Sequence, residues 1–403
     1  MGGTMWERLF DRMLRALVRE GDLQVTLPGG TTRRYGDGRA MSAAVTIHDR
    51  ATLRHLVRQP DLGLGEAYMN RSLSVAQNDL EGFLTLMARN VMRYGRGQLA
   101  VAVRGPARFL RQVAQYNPVA ISRRNVRHHY DLSNAFYRQM LDDDMQYSCA
   151  YFADSSMSLE QAQAAKKAHI ANKLLLEPGM RVLDIGCGWG GMALTLARDY
   201  GARVTGVTLS ERQLEVARAR ARAEGLEDRV EFRLQDYREI TERFDRVVSV
   251  GMLEHVGVPH MQTYFNKLRD VLEADGVALI HTIGRATPPS STSPWLRKYI
   301  FPGGYIPAVS EVIGPIERAG LYCADLETLH GSHYARTLSA WRSRFEANRE
   351  AIRRQFDDRF LRMWQYYLVL SEIGFRELGM VVHHYQLARD PRQMPRSRAY
   401  LYG

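Results

Sequence analysis

Hydrophobic positions near the start of the chain follow first a helical and then a strand-like period. Trp6, Phe10 and Leu14 recur at helical spacing with charged residues between them, which predicts an amphipathic helix. Alternating apolar and polar residues, separated by glycine-rich turns, predict short strands further on. The predicted elements are a helix over 5–19, strands over 23–27 and 43–48, and helices over 50–58 and 79–94. Together they indicate a small α+β domain over residues 1–95.

From about residue 165, short apolar strands alternate with helices. Strands are predicted over 182–185, 204–208, 230–234, 246–250 and 277–282, and helices over 190–200 and 211–224. This alternation is typical of a parallel, doubly wound α/β sheet of the Rossmann type. We therefore predict three segments: an N-terminal domain over 1–95, a basic linker over 96–125 and an α/β domain over 126–403.

Basic residues are concentrated in the first third of the chain. Lys and Arg number 55 against 44 Asp and Glu, a net charge of +11, and residues 1–130 hold 20 Arg against 10 acidic residues. Residues 82–130 contain nine Arg and no acidic residue. Such a block favours an anionic partner. We find no base-reading or stacking motif beside the arginines, so we expect an anionic membrane surface and no nucleic acid. A merely solvated face is the alternative.

Cysteine and histidine spacing indicates neither a disulfide framework nor a metal site. Cys149, Cys187 and Cys323 lack the pairing typical of zinc or redox motifs. The histidine pairs at 128–129 and 383–384 have no carboxylate at ligand spacing, and adjacent side chains on one element point apart, so we predict no metal. The chain has no apolar run long enough to span a bilayer and no secretory signal core. We therefore expect a cytoplasmic protein, peripheral at the inner membrane surface.

A glycine-rich loop over residues 184–191 follows the first strand of the α/β domain. Glycines at 186 and 188 let a ligand approach the backbone, and the next helix begins with free N–H groups. A dinucleotide loop would need an acid about 20 residues further on, and residues 205–208 contain none. The string resembles motif I of class I methyltransferases, which implies S-adenosylmethionine as the cofactor. At the end of the second strand, residues 207–210 lack the usual ribose-binding acid, so the ribose contacts must differ.

Five further motifs stand in order along the chain: HHYDLSN at 128–134, MQYSCAYF at 145–152, VTLS at 207–210, MLEHVG at 252–257 and HTIG at 281–284. Together they resemble the cyclopropane-fatty-acid synthase family, which includes the mycolic acid cyclopropane synthases. The likeness covers about residues 60–403. The long form, with a lipid-binding-like N-terminal domain, is similar to the phospholipid-modifying members. The cofactor contacts implied by these motifs, the glycine loop and the segment after the third strand are Tyr147, Ser148, Asp184, Gly186, Gly188, Gly191, Thr208, Ser210, Gln213, Gln235, Asp236 and Tyr237.

The chemistry of this family requires both an electrophilic methyl group and a base. Attack of an alkene on the sulfonium methyl leaves a carbocation, and loss of a proton from the added carbon closes the three-membered ring. In similar enzymes the base is bicarbonate. The resemblance implies that the groups holding it are Cys149, Glu254, His281, the backbone of Ile283, and Tyr334.

We therefore expect transfer of a methylene group to the cis double bond of unsaturated phospholipids at the bilayer surface, by a homodimer. The first alternative is methylation of the same alkene without ring closure, which gives a methyl- or methylene-branched chain and requires the same motifs. A nonenzymatic lipid carrier would not need the glycine loop. A methyltransferase for small amines would not need a base for carbon-bound protons.

Overall fold

The structure is a computed structural model that describes residues 4–39, 41–95 and 132–401. The predicted linker over 96–125 and residues 128–131 of the first family motif lie outside these ranges. The strands are β1 (Asp22–Thr26), β2 (Thr32–Gly36), β3 (Ser42–Ile47), β4 (Leu73–Val75), β5 (Arg181–Ile185), β6 (Arg203–Thr208), β7 (Val230–Leu234), β8 (Phe244–Val250), β9 (Leu272–Arg285), β10 (Tyr322–Leu329) and β11 (Met380–Ala388).

The α-helices of the described residues account for most of the remaining regular structure. In chain order they are α1 (Met5–Leu17), α2 (Arg50–Arg58), α3 (Pro60–Met69), α4 (Leu80–Tyr94), α5 (Asn134–Arg138), α6 (Leu159–Leu174), α7 (Gly191–Tyr200), α8 (Glu211–Ala223), α9 (Met261–Val271), α10 (Pro294–Tyr299), α11 (Val309–Arg318), α12 (Gly331–Ala347), α13 (Arg349–Arg353) and α14 (Asp358–Glu377). Among these residues, no helix is long and apolar enough to cross a membrane.

The chain divides into two compact units. The first contains the N-terminal residues together with Thr292–Phe301 and Leu338–Met380. The second contains the described residues from 132 to 291, Pro302–Thr337 and the C-terminal residues from Val381 onwards. The predicted boundaries had assigned everything after residue 126 to one domain. Two later segments instead pack with the N-terminal unit.

The first unit is built on a four-stranded sheet with the order β2-β1-β3-β4. Helix α1 begins at a capping box in which Thr4 accepts the N–H of Glu7, and it buries Phe10 and Leu14 as predicted. Strand β2 and helix α3 were not predicted. Pro60 ends α2 but also occupies the first turn of α3, where its missing N–H leaves no helical bond unmade.

The second unit confirms the predicted α/β class. Its seven-stranded sheet has the order β10-β11-β9-β8-β5-β6-β7, and the pairs from β9 through β7 are parallel. The pair β10–β11 is antiparallel, so the sheet is mixed at one edge. Adjacent strand residues alternate between two cores, with Leu183 and Val247 in one and Val182 and Val248 in the other. The strand order reverses between β5 and β8, and ligands of such sheets bind at the carboxyl ends of the strands at this point.

Candidate active site

A cavity of about 130 Å³ lies at the carboxyl ends of the central strands of the second unit. Its lining consists of Ile185, Gly186, Gly188, Val207, Thr208, Leu209, Gln213, Gln235, Asp236, Tyr237, Arg238, Val250, Gly251, Met252, His255, Val256 and His260. The predicted cofactor residues Gly186, Gly188, Thr208, Gln213, Gln235, Asp236 and Tyr237 are therefore brought together. Tyr147, Ser148, Asp184, Gly191 and Ser210 are not part of this lining.

The predicted residues outside the lining have other local roles. Ser210 caps α8 by accepting the N–H of Gln213. A Cβ on Gly191 would lie 2.4 Å from the side chain of Gln146 and 2.5 Å from that of Asp144, so this glycine makes room for protein groups. Burial raises the pKa of Asp184 to about 7, and its Oδ2 has no hydrogen-bond partner among the described residues.

Polar side chains at the cavity are held in place before any ligand binds. The hydroxyl of Thr208 donates to Oε1 of Gln213 at 2.8 Å. Arg238 binds both carboxylate oxygens of Asp236, at 2.8 and 2.7 Å, and its guanidinium lies over the ring of Tyr237. These contacts fix hydroxyl, amide and aromatic groups around a glycine-lined opening, which suits a ligand with a ribose and an aromatic base.

Gly188 is the position where a side chain would affect the cavity without disturbing the core. Its φ is +55°, and an added Cβ would meet nothing within 4 Å. We expect Gly188→Val to abolish S-adenosylmethionine binding in a folded protein, because a β-branched residue disfavours this backbone conformation and would project into the opening. Isothermal titration calorimetry measures the affinity. Gly225→Val is the matched control: its φ is +65° with open space around it, but it lies outside the cavity lining. Equal affinity in the two variants would contradict the assignment.

Glu254 and Ile283 form the first contact of the predicted base site. Glu254 lies in a short 3₁₀ turn, Leu253–His255, just after β8, and its Oε1 accepts the backbone N–H of Ile283 at 2.6 Å. The other oxygen, Oε2, is buried without a hydrogen-bond partner among the described residues. Burial raises the pKa of Glu254 to about 7, so the carboxyl group carries a proton in a large fraction of molecules at neutral pH. The N–H of Ile283, predicted to hold an anion, is here donated to Glu254.

The raised pKa of Glu254 has a measurable effect on stability. Between its ordinary value of 4.5 and about 7, the native protein keeps a proton that the unfolded chain releases, so stability falls as pH rises through this interval and stays lower above it. The Glu254→Gln variant does not titrate at this position. We therefore expect its free energy of unfolding, relative to that of wild type, to rise by on the order of 3 kcal/mol from pH 5 to pH 8. Urea denaturation of both proteins at the two pH values measures the difference. A pH-independent difference would show that Glu254 is ionised throughout.

His281 lies two residues before Ile283 on β9 and is 2% exposed. Its Nδ1 is 2.8 Å from Nε2 of His384 on β11, which is fully buried. Burial lowers the pKa of His281 to about 3, and the charge of Lys166 adds to this effect, so the ring is neutral at ordinary pH. The carbonyl of His281 accepts the N–H of Gly251 at 2.8 Å, and Gly251 lines the cavity. The predicted base residue is therefore bonded directly to the wall of the cofactor cavity.

Cys149 and Tyr334 lie on two segments that are joined by hydrogen bonds. The N–H of Ala150 donates to Oγ1 of Thr337 at 3.1 Å, and Tyr334 lies one helical turn before Thr337 on α12. Cys149 is 1% exposed, its Sγ is 3.3 Å from the carbonyl of Ala150, and burial raises its pKa. Cys149 is therefore a neutral thiol that can donate a hydrogen bond and is not a nucleophile.

Lys166 on α6 is a buried cation that the sequence analysis missed. Its side chain is fully buried, and Nζ donates to Oε1 of Gln146 at 2.6 Å and to Oγ of Ser148 at 2.9 Å. Among the described residues it forms no ion pair with a carboxylate. Burial lowers its pKa to about 8, so most molecules retain the charge at neutral pH. This charge acts on Cys149, Asp184 and His281 together.

A cluster of charged groups lies next to His384. Within the described ranges, His169, Glu327 and His384 present ligand atoms within 4.8 Å of one another, a spacing that a metal ion would require. Lys173, however, is fully buried with its Nζ 2.7 Å from Oε2 of Glu327, so an ammonium group already supplies the positive charge there. The prediction of no metal stays a prediction, and the cluster is more simply a network of hydrogen bonds and ion pairs.

The mixed, mostly parallel sheet, the glycine loop at its switch point and the cavity beside it define a class I S-adenosylmethionine-dependent methyltransferase. Residues 119–385 match the family model described as mycolic acid cyclopropane synthetase, and residues 9–93 match a model described as a domain of unknown function. The first match covers more than half of the chain, which therefore belongs to the mycolic acid cyclopropane synthetase family.

Named relatives agree with this assignment. The chain is 38% identical over 368 residues to the cyclopropane-fatty-acyl-phospholipid synthase of Escherichia coli (strain K12). This match covers 88% of the present chain and 92% of the Escherichia coli protein. The chain is 34% identical over 400 residues to the tuberculostearic acid methyltransferase UfaA1 of Mycobacterium tuberculosis (strain ATCC 25618 / H37Rv), covering 94% and 91%. The solved structure of mycolic acid cyclopropane synthase CmaA1, complexed with SAH and CTAB, matches with a TM-score of 0.63 and 30% identity, over 68% of this chain and 99% of that chain.

Proposed function

We propose that this enzyme transfers a methylene group from S-adenosylmethionine to the cis double bond of unsaturated phospholipid acyl chains and closes a cyclopropane ring. The observation that carries the proposal is the buried pair of titratable side chains, Glu254 and His281, beside the cofactor cavity. Methyl transfer to nitrogen or oxygen does not require a base for a carbon-bound proton, whereas ring closure does. The likeness to the Escherichia coli phospholipid synthase over most of both chains supports the choice of substrate.

The cofactor is proposed to lie along the carboxyl ends of β5, β6 and β8. Gly186 and Gly188 would let the cofactor approach the backbone closely. The Thr208–Gln213 pair would contact the ribose in place of the acid that is usual in class I methyltransferases. Gln235 to Tyr237 would contact the adenine. Tyr147 and Ser148, which lie outside the cavity lining, would reach the cofactor from the segment that precedes α6.

Bicarbonate is proposed as the base, held by Cys149, Glu254, His281, Ile283 and Tyr334. The free Oε2 of Glu254 fits such an anion, because a protonated carboxyl group donates a hydrogen bond where a carboxylate would repel. Lys166 adds a buried positive charge nearby. Bound there, bicarbonate would accept the proton that ring closure releases, and the surrounding side chains would orient it and exclude water.

The alternative product is a methyl- or methylene-branched chain, and the relative named tuberculostearic acid methyltransferase gives it specific support. Lipids extracted from cells that express the protein would distinguish the outcomes. A cyclopropane adds CH₂, resists mild hydrogenation and gives upfield ring protons in NMR. A methylene branch has the same mass but takes up hydrogen, and a saturated methyl branch is two hydrogens heavier. Unmodified lipids would contradict both versions.

The enzyme is proposed to act as a peripheral protein, and as a homodimer, at an anionic inner membrane surface. We expect the protein to bind anionic vesicles more tightly than zwitterionic ones, and less tightly as salt rises, because surface attraction is screened over about 10 Å at 0.1 M salt. Replacing Arg104, Arg108 and Arg111 with Gln should weaken binding without changing S-adenosylmethionine affinity; these three lie outside the described residues. Sedimentation with both vesicle types measures it.

The control for the vesicle experiment is an equal loss of charge elsewhere. Arg198, Arg269 and Arg392 of the second unit have side chains that are 50%, 43% and 87% exposed. Their combined replacement by Gln removes the same charge outside the basic block. If the two triple variants bind anionic vesicles equally well, or if wild type binds both vesicle types equally, the basic block does not direct membrane binding.

A further inference from the structure

The proposed reaction releases one proton into a buried site, and the protein must carry that proton to solvent. S-Adenosylmethionine is a cation and its product is neutral, so the positive charge leaves as a proton when the carbon skeleton loses hydrogen. Methylation without ring closure to a methylene branch releases the same proton. Either way, His281 and Glu254 are too deeply buried to exchange it directly with bulk water, since they are 2% and 7% exposed.

Three side chains on neighbouring strands lead from this site to the edge of the sheet. The strands β9, β11 and β10 are adjacent in that order, and β10 is the outermost. His281 on β9 contacts His384 on β11 at 2.8 Å. His384 is the direct cross-strand partner of Glu327 on β10, and its Nδ1 lies 3.8 Å from Oε2 of Glu327. The two histidines are buried, and the side chain of Glu327 at the outer end is 21% exposed.

We propose that His281, His384 and Glu327 form a relay that moves the released proton from the reaction site to the surface of the second unit. A neutral imidazole can accept a proton on one ring nitrogen and release the other from the opposite nitrogen. A proton arriving at Nε2 of His281 displaces the Nδ1 proton to Nε2 of His384. His384 then releases its own Nδ1 proton to the carboxylate of Glu327, which passes it to water. Rotation of the rings restores the starting tautomers. The relay rests on the proposed function.

The electrostatics around the relay favour transit in this direction. Although burial opposes it, hydrogen bonds from His169 and Lys173 lower the pKa of Glu327 to about 2, so this acceptor is ionised and releases its proton readily. Burial lowers the pKa of His384 well below its usual range, so a proton does not remain there. The Nδ1 atom of His384 has no hydrogen-bond partner among the described residues and faces Glu327. A small movement of either side chain would close the gap, as catalytic hydrogen bonds often tighten on binding.

The charged and titratable groups that face the relay come from several elements, and they include Tyr400 near the C-terminus. On α6 they are Lys166, His169 and Lys173; on β10, Asp325, which binds Lys173 at 2.8 Å; on α12, His333; and near the C-terminus, Arg398, which binds Asp325. The cations lie beside the two histidines and disfavour a resting imidazolium. His169 and Lys173 also bind Oε2 of Glu327, at 2.6 and 2.7 Å, so a proton from His384 must displace one of these contacts or reach the other carboxylate oxygen.

The experiment compares His384→Gln with His383→Gln in the full-length enzyme. His383 is the preceding residue on β11, is also buried, and points to the other side of the strand, where its Nδ1 contacts Thr328 at 3.0 Å. A glutamine at 384 can still hydrogen-bond to His281 but cannot carry a proton. We expect kcat of His384→Gln on vesicles of unsaturated phospholipid to fall about 10²-fold, the low end of what positioned proton transfer contributes. Its affinity for S-adenosylmethionine should not change, and added imidazole should restore part of the rate of His384→Ala, whose small side chain leaves space for the ring.

Each outcome has a defined meaning. If His384→Gln retains the wild-type kcat, or if both glutamine variants lose activity equally and imidazole does not restore His384→Ala, the relay is refuted and His384 serves packing alone. Loss specific to position 384 with imidazole rescue supports it. If the wild-type protein modifies no alkene, the proposed function fails first. That result is distinguishable from failure of the relay, in which wild-type product is formed and His384→Gln forms it equally fast.

Discussion

Replacing either Glu254 or His281 with alanine is expected to lower turnover by about 10²–10⁴-fold, the usual contribution of positioned proton transfer. Affinity for S-adenosylmethionine should stay close to that of wild type, because neither side chain lines the cofactor cavity. In the proposed mechanism the loss arises at the proton-transfer step, where Glu254 would orient the bicarbonate base and His281 would receive the proton. Release of S-adenosylhomocysteine on unsaturated vesicles gives kcat, and calorimetry gives the affinity.

Carbonate dependence separates the roles of these residues from simple damage to the fold. Wild-type enzyme stripped of carbonate should regain rate when bicarbonate is added, whereas Glu254→Ala should respond weakly. Glu273→Ala, a change at a partly exposed carboxylate bound to Arg181, is the matched control and should behave as wild type. Full wild-type rate in rigorously carbonate-free buffer would remove bicarbonate from the mechanism. Equal losses of affinity and turnover in the variants would indicate a structural effect only.

Removing the charge of Lys166 is expected to have the second large effect. Lys166→Met keeps most of the side-chain volume but leaves Gln146 and Ser148 without their donor and the proposed bicarbonate site without its buried cation. We expect kcat to fall about 10²-fold, comparable to the loss of one preorganised electrostatic group in an active site. The bicarbonate concentration that gives half-maximal rate should rise, because the anion loses a favourable charge. Rate measurements over a bicarbonate series test both expectations.

The adjacent lysine supplies the control for this experiment. Lys167 is on the same helix and is also largely buried, but it pairs with Asp144 at 2.6 Å, which Arg220 also contacts. Lys167→Met therefore removes an equal charge from α6 while Asp144 keeps a partner. If both methionine variants show the same loss of turnover and the same bicarbonate dependence, Lys166 acts by stabilising α6 and not by balancing an anion.

Sequence pattern was sufficient for the parallel strands β5 to β8 of the second unit, but not for β10 and β11 at the edge of the same sheet. Strand β7 occupies the predicted residues 230–234, and β5, β6 and β8 extend their predictions by one or two residues. Buried parallel strands are continuous apolar runs, which are easy to recognise. Strand β2 was missed because its residues, Thr-Arg-Arg-Tyr-Gly, place one buried tyrosine among exposed polar groups. The antiparallel strand β11 was missed because its apolar run directly follows a helix with no turn signal beyond Gly379.

Residues of the candidate site were predicted only where they belong to a local sequence motif. The glycine loop and the segment at 235–237 do line the cavity, because each belongs to a single strand end. Lys166 and His384 depend on contacts between segments that are far apart in sequence, and no local pattern encodes those contacts. One signal was present: Lys166 and Lys173 recur seven residues apart on the buried face of α6, among Ala, Ile and Leu. Lysines on an otherwise apolar stripe indicate buried charge.

The first unit is built from segments that lie far apart in the sequence, and this determines when it can fold during synthesis. Helix α14, near the end of the chain, packs on α3 and α4, and Arg342 and Arg376 form ion pairs with Glu81. The ribosome must therefore complete almost the whole polypeptide before this unit has its partners, and the early helices meanwhile expose apolar faces to solvent and chaperones. A truncated protein ending after residue 95 would lack those partners permanently. A version of this enzyme that is split into two polypeptides should therefore keep Leu338–Met380 in the same polypeptide as the N-terminal strands.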